Sequence, residues 1–180
     1  NGLGLLSEAI IEERTLDRTQ AKKQYEFASR LFPKMMEPLL GLEAIAKEEK
    51  DPKALAEVYR KQADADVADD ERVQILLRLA KVEEEEFRKP ELAARTLQRV
   101  VDLDPDWPGV LDNLERCYRS ARMWNELADV LERAAIADTD AATRAERFKR
   151  LGEVLESKLG DVKYVYTWDG ERVFKVVSFF

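Results

Sequence analysis

The sequence contains no histidine and a single cysteine among its 180 residues. Without histidine, the chain lacks the most common general base and the usual ligands of zinc sites. A lone cysteine excludes an internal disulfide, and the position of Cys117 in the helical segment LERCYRSA predicts a small buried residue. We therefore expect a protein that is not an enzyme and that holds no metal or other cofactor.

Long apolar runs and an excess of positive charge are also missing. No run of about 18 apolar residues occurs, so we expect no insertion into a membrane. Acidic residues outnumber basic ones by 37 to 30, which disfavours nucleic acid as a partner. The first residues have neither the pattern of a signal peptide nor an initiating methionine, so we expect an excerpt or a processed form, with the cytoplasm as its compartment.

What the chain does contain is an internal repeat. Residues 112–162 match residues 40–90 at a constant offset, called here one repeat length, which places Leu114 on Leu42 and Arg150 on Arg78. The segments AKKQYEFASRLFP and AARTLQRVVDLDP each contain a small residue, a large residue, a second small residue and a proline at the same intervals. The two segments are separated by the same offset. Equivalent positions of successive second helices alternate between a shorter and a longer spacing, as at Ala21, Leu55, Ala93 and Leu127. The offset thus spans two repeats, and each repeat is a pair of helices.

Helix start and stop signals set the predicted elements. Pro52 and Pro90 suit the first position of a helix, and Asp51 suits the cap before it, whereas Lys89 is a poor cap. The segment LDPDWP at 103–108 interrupts the pattern, because its two prolines prevent a continuous helix. The predicted helices span 4–15, 18–32, 36–49, 52–66, 70–87, 90–103, 107–121, 124–138 and 141–158.

These motifs resemble the tetratricopeptide repeat (TPR). The family pattern, W-x2-L-G-x2-Y followed by A-x3-F and a proline, is matched by Leu111-x2-Leu114-Glu115-x2-Tyr118, by Ala21-x3-Tyr25 with Ala28 and Pro33, and by Ala93-x3-Leu97 with Pro105. The pattern's glycine remains only as Gly152, and Gln62 stands where a small residue is usual. The longer of the two kinds of unit resembles the tandem arrays of large bacterial repeat proteins.

The resemblance implies an all-α, right-handed superhelical solenoid of antiparallel helix pairs. It covers residues 1–162 as about four and a half repeats, followed by a separate tail at 163–180. Stripes of apolar residues at helical spacing predict the core, with Leu76, Leu79 and Val82 in one stripe and Phe148, Leu151 and Leu155 in another. Trp107 and Trp124 are expected between adjacent helices.

In this family the first helix of each pair lines the concave face, which implies a scaffold that binds a protein or peptide there. By register, the candidate peptide-binding residues are Arg78, Val82, Asn113, Arg116, Arg119, Arg147 and Arg150. Because most of them are arginines, they suit a partner with acidic groups. Alternatively, these arginines only pair with neighbours such as Glu115, Glu146 and Glu153, and the array is a structural or assembly element with no ligand in its groove.

The tail at 163–180 has a different composition from the rest of the chain. Leucine and alanine are abundant up to position 162, whereas the tail contains neither and carries six of the 15 aromatic residues. Asp169-Gly170 predicts the turn of a β-hairpin or an extended tail, with arms at 163–168 and 171–177. The tail could cap the array, join a second copy, begin another domain or be foreign; the candidates for capping or self-association are Tyr164, Tyr166, Trp168 and Phe174.

Overall fold

The computed structural model describes residues 18–105, 107–156, 161–168 and 171–178, with side chains in the first two ranges. This part of the chain forms eight α-helices and then two strands. The elements are α1 (Arg18–Leu31), α2 (Met36–Glu49), α3 (Pro52–Ala63), α4 (Asp69–Glu85), α5 (Pro90–Leu103), α6 (Val110–Ala121), α7 (Trp124–Ala137), α8 (Ala141–Val154), β1 (Asp161–Trp168) and β2 (Glu171–Ser178). The helix predicted at 4–15 lies outside the described residues.

The predicted start signals are confirmed at two second helices. Pro52 and Pro90 are the first residues of α3 and α5. The carboxylate of Asp51 accepts hydrogen bonds from the backbone N–H groups of Lys53 and Ala54 at 3.0 and 3.1 Å. Lys89 forms no side-chain cap, as its chemistry predicts.

Two helix ends differ from the prediction for identifiable reasons. Helix α6 begins at Val110 rather than 107, because Gly109 precedes it in a left-handed conformation at φ +76°. Helix α3 ends at Ala63 rather than 66. The guanidinium of Arg72 donates to the carbonyl oxygens of Ala65 and Val67 at 3.4 and 3.0 Å, which stabilises the irregular turn that follows.

The chain divides into two compact units between Asp104 and Pro105. The first, called unit 1, contains α1 to α5, and the second, called unit 2, contains α6 to α8 and both strands. Asp104 has an extended backbone, as expected where LDPDWP interrupts the helices. Within each unit, each helix packs against the next helix in the chain. The predicted domain boundary after residue 162 remains a prediction.

Each unit buries most of the residues of its predicted apolar stripe, whereas Phe148 of unit 2 is only half-buried. In unit 1, Leu76, Leu79 and Val82 are buried, and a second cluster joins Tyr25 of α1 to helix α2. In unit 2, Leu151 and Leu155 are buried, and Cys117 is fully buried as predicted. These residues recur at helical spacing, so burying them fixes which face of each helix turns to its neighbours.

The segment after α8 forms strands instead of a further second helix. Strands β1 and β2 pair antiparallel, from Asp161 opposite Ser178 to Trp168 opposite Glu171. The strands overlap the predicted arms of the hairpin, whereas the predicted turn at Asp169-Gly170 lies outside the described residues. Only the backbone is described here, so the capping and self-association roles of Tyr164, Tyr166, Trp168 and Phe174 remain predictions.

Gly41 is needed where α2 passes close to α1. A Cβ atom at this position would lie 2.5 Å from the Cε2 and Cζ atoms of the Tyr25 ring, which is itself buried. We predict that Gly41→Ala lowers the free energy of unfolding by about 1 to 2 kcal/mol, because overpacking outweighs the gain in helix propensity. Urea denaturation followed by circular dichroism measures the change.

Gly152 of α8 provides the matched control. Apart from the neighbouring residues and backbone of α8 itself, no described atom lies within 4 Å of the place that a Cβ atom would take. Gly152→Ala should therefore show only the propensity gain, an increase of about 0.5 to 1 kcal/mol. A Gly41→Ala variant as stable as the parent chain would contradict the close contact with Tyr25.

Candidate functional site

A buried carboxylate joins two first helices in unit 1. Glu43 of α2 is only 5% exposed. Its Oε1 atom accepts a hydrogen bond from Lys47 Nζ at 2.6 Å and lies 3.4 Å from Nη1 of Arg78 on α4. We call Glu43, Lys47 and Arg78 the charge triad of unit 1. It places two cations on one carboxylate and connects α2 to α4.

Polar groups of α3 support this triad from the interior. Gln62 Nε2 donates to Oε2 of Glu43 at 2.7 Å, and the hydroxyl of Tyr59 donates to Oε1 at 3.4 Å. The Arg78 guanidinium lies 5.8 Å from the centre of the Tyr59 ring, a cation–π distance. Glu43 stands where the repeat pattern has glycine and Gln62 where it has a small residue. The two departures from the pattern are therefore hydrogen-bonded to each other.

Unit 2 repeats the arrangement one repeat length later. Oε1 of Glu115 accepts from Arg119 Nη2 at 3.1 Å, and Oε2 of Glu115 lies 3.3 Å from Arg150 Nη1. Glu115, Arg119 and Arg150 form the charge triad of unit 2. In both triads the carboxylate and the arginine of the next first helix are 35 residues apart. The sequence repeat is thus also a repeat of contacts.

A second ion pair runs beside the triad of unit 2. Nη2 of Arg147 lies 3.4 Å from Asp112, again 35 residues away, and its Nε lies 3.4 Å from Asp138. Arg150 also approaches Glu146 at 3.5 Å. The Asp112–Arg147 and Glu115–Arg150 pairs both join α6 to α8 across 35 residues. The two first helices therefore run side by side in the same direction.

Four of the predicted peptide-binding residues are therefore paired with carboxylates of this chain. Arg78, Arg119, Arg147 and Arg150 all form the neighbour pairs that the alternative interpretation expects. The side chains of Arg78, Arg119 and Arg150 remain 43% to 49% exposed, whereas that of Arg147 is 19% exposed. Arg116 is exposed, Asn113 is half-buried and Val82 belongs to the core.

The sequence did not predict the residues that surround Arg78 in unit 1. Lys47, Tyr59 and Glu43 were not among the candidates, although the repeat places Glu43 on Glu115 and Lys47 on Arg119. Carrying the candidate Arg119 and its predicted neighbour Glu115 back by one repeat length gives Lys47 and Glu43. Tyr59 has no such signal, because its contact with Arg78 depends on how α3 packs against α4.

The contacts around Glu43 shift the pKa values of Glu43, Lys47 and Tyr59. Burial alone would raise the pKa of Glu43. Hydrogen bonds from Lys47 and Gln62, together with the charges of Lys47 and Arg78, outweigh burial and hold this pKa below its ordinary value. The hydrogen bond to Glu43 raises the pKa of Lys47. Burial and the Glu43 charge raise the pKa of Tyr59. At neutral pH Glu43 and Lys47 are therefore both ionised.

Comparison with known proteins places this fold. No family model matches the chain, and no curated protein matches it. The crystal structure of YrrB, a TPR protein with an unusual peptide-binding site, is 17% identical, with 88% of this chain and 78% of that chain covered and a TM-score of 0.50. The crystal structure of MamA is 17% identical, with 83% of this chain and 84% of that chain covered and a TM-score of 0.48. The crystal structure of PilW, a type IV pilus biogenesis factor, is 17% identical, with 88% of this chain and 71% of that chain covered and a TM-score of 0.40.

The chain is a TPR-like helical repeat protein. At this level of identity, the likeness concerns the fold. In the described part of these TPR-like repeats, no helix is long and apolar enough to cross a membrane. Within the same residues, no group of three or more acidic, cysteine or histidine side chains is placed to hold a metal ion.

The lowered pKa of Glu43 predicts how unit 1 responds to acid. A carboxyl whose pKa is lowered by folding stabilises the native state above its unfolded pKa, and this contribution disappears as the pH falls through the folded value. We predict that Glu43→Gln lowers the free energy of unfolding by about 1 to 3 kcal/mol at neutral pH. The difference from the parent chain should shrink below about pH 4.

Urea denaturation at a series of pH values measures this difference. Glu48→Gln on the same helix is the control, because Glu48 is exposed and its pair with Arg18 lies in solvent. The control should cost at most about 1 kcal/mol. A loss of unfolding free energy in Glu43→Gln that does not change with pH would contradict an ionised Glu43 carboxylate in the folded chain.

Proposed function

We propose that this protein is an interaction scaffold that docks a partner protein or peptide on the face formed by its first helices. By register, the first helices of unit 2 contribute Arg116, Arg119 and Arg150 to such a face, and α4 of unit 1 contributes Arg78. A partner with acidic side chains would pair with these arginines. The concave face implied by the TPR resemblance is the expected site. YrrB, which has the same type of fold, is described as having a peptide-binding site.

The repeated charge triad is the observation that carries this proposal. Each triad fixes an arginine by one or two contacts while nearly half of its side chain stays accessible. A guanidinium has five N–H donors, so the existing contacts leave donors for a ligand carboxylate. Because the internal carboxylate already orders the arginine side chain, a partner loses less conformational entropy when it binds.

Selection from a random-peptide display library tests the proposal. We expect the enriched peptides to be rich in aspartate and glutamate. The double variant Arg116→Glu and Arg150→Glu should weaken their binding by at least about tenfold, because attraction becomes repulsion. Fluorescence anisotropy with the enriched peptides measures this loss.

The matched control reverses two charges elsewhere on the protein. Arg95 and Arg133 are exposed and lie on the second helices α5 and α7. Arg95→Glu with Arg133→Glu changes the net charge by the same amount and should leave binding intact. Circular dichroism should give the same helix content for both double variants. Equal binding by both would exclude the first-helix face as the docking site.

Self-association through the tail is the second candidate function. Strands β1 and β2 form a two-stranded sheet, and neither outer edge is paired with another strand in the described chain. Such edges can join a second copy by strand pairing. In that case the array would mainly hold identical chains together.

Light scattering tests this second candidate. Replacing Tyr164, Tyr166, Trp168 and Phe174 by serine should reduce the mass of the full chain to that of a monomer, because the aromatic residues that favour association are removed. The helical signal near neutral pH should not change. A parent chain that is monomeric over the whole concentration range would eliminate this function, and the first candidate would stand alone.

A further inference from the structure

Unit 1 contains a cleft that does not include the predicted arginines. It lies where the ends of α2 and α4 meet the start of α3, and its volume is about 470 Å³. Ala46, Pro52, Leu55 and Val82 form its apolar part. Ligand sites of proteins occupy about 300 to 1,000 Å³, so the cleft has room for a large side chain of a partner.

The internal repeat shows what kind of side chain suits this space. One repeat length later, Tyr118 corresponds to Ala46 and Trp124 corresponds to Pro52. Tyrosine is also the residue that the TPR pattern has at the position of Ala46. Two aromatic positions of unit 2 are therefore small residues in unit 1, whereas the apolar walls are kept, with Leu127 on Leu55 and Val154 on Val82.

The burial of the walls agrees with this comparison. In unit 2, Leu127 is 0% and Val154 is 3% exposed, and Tyr118 is itself buried. In unit 1, Leu55 is only half-buried and Val82 is 9% exposed. The same walls are thus less covered where the aromatic rings are missing. An apolar wall that stays partly uncovered can gain free energy when a partner covers it.

The charges at the rim indicate that shape rather than charge selects the occupant. The charged lining residues comprise three of each sign, namely Lys47, Lys50, Lys81, Asp51, Glu85 and Glu86. A strongly acidic or basic group therefore has no net attraction to the cleft. An aromatic ring is neutral, and it can also interact with the lysine ammonium groups through its face.

We propose that this cleft binds an aromatic side chain of a partner protein, which takes the place of the rings that the repeat has in unit 2. The cleft contains none of the first-helix arginines, and it shares Lys47 with the charge triad of unit 1. It would give the scaffold an apolar anchor in unit 1. Buried aromatic anchors often dominate the energy of protein interfaces.

Nuclear magnetic resonance with small aromatic amides tests the proposal on the full chain. N-acetyl-tyrosinamide should cause saturable shifts of the backbone amides of Lys47, Lys50, Leu55 and Val82, with a dissociation constant of about 1 mM. N-acetyl-leucinamide should bind more weakly and N-acetyl-alaninamide not at all. Shifts of equal size with all three compounds, or no saturable shift with any, would overturn the proposal.

Filling the cleft from within gives the second test. Ala46→Tyr introduces the residue found at the equivalent position of unit 2 and should abolish the response to N-acetyl-tyrosinamide. Pro52→Trp makes the other equivalent change and should also block the cleft if the first variant does not fold. Ala44→Tyr is the matched control, because Ala44 is an exposed residue of α2 that does not line the cleft. Undiminished binding by folded Ala46→Tyr or Pro52→Trp would refute the site.

Discussion

The placement of one carboxylate in the interior of unit 1 determines much of what the surrounding helices can do. Removing Glu43 from water is unfavourable unless its oxygens find partners, and they find them on three helices, in Lys47, Gln62 and Arg78. Helices α2, α3 and α4 must therefore keep one relative position for the group to remain satisfied. The partly exposed Arg78 side chain is ordered by the same contacts that hold the helices together.

Much of the fold follows from local signals in the sequence. Proline at the first position of α3 and α5, the Asp51 cap and the apolar stripes through Leu76 and Leu151 each predict an element that the structure contains. These signals act within one or two helical turns, which is why they can be read without knowing the tertiary structure. The constant offset of the internal repeat then predicts the pairing of helices, because equivalent residues occupy equivalent places.

The site was harder to predict, because it depends on contacts between residues far apart in the chain. Register places Arg78 and Arg150 on first helices, and Glu115 was expected as a neighbour of the arginines, but Glu43, 35 residues before Arg78, was not. Gln62 looks like a defect of the pattern until Glu43 is seen beside it at 2.7 Å. The cleft was missed for the opposite reason, since it results from side chains that are small, and Ala46 carries no signal when read alone. Only comparison with Tyr118 reveals what the position lacks.

The break at Asp104 and Pro105 gives each unit its own buried core and its own charge triad. Each triad joins helices of a single unit, so its loss removes contacts within that unit. The chain is in this sense modular. If the first helices bind a partner as proposed, a substitution in one triad changes the arginines that its own unit presents.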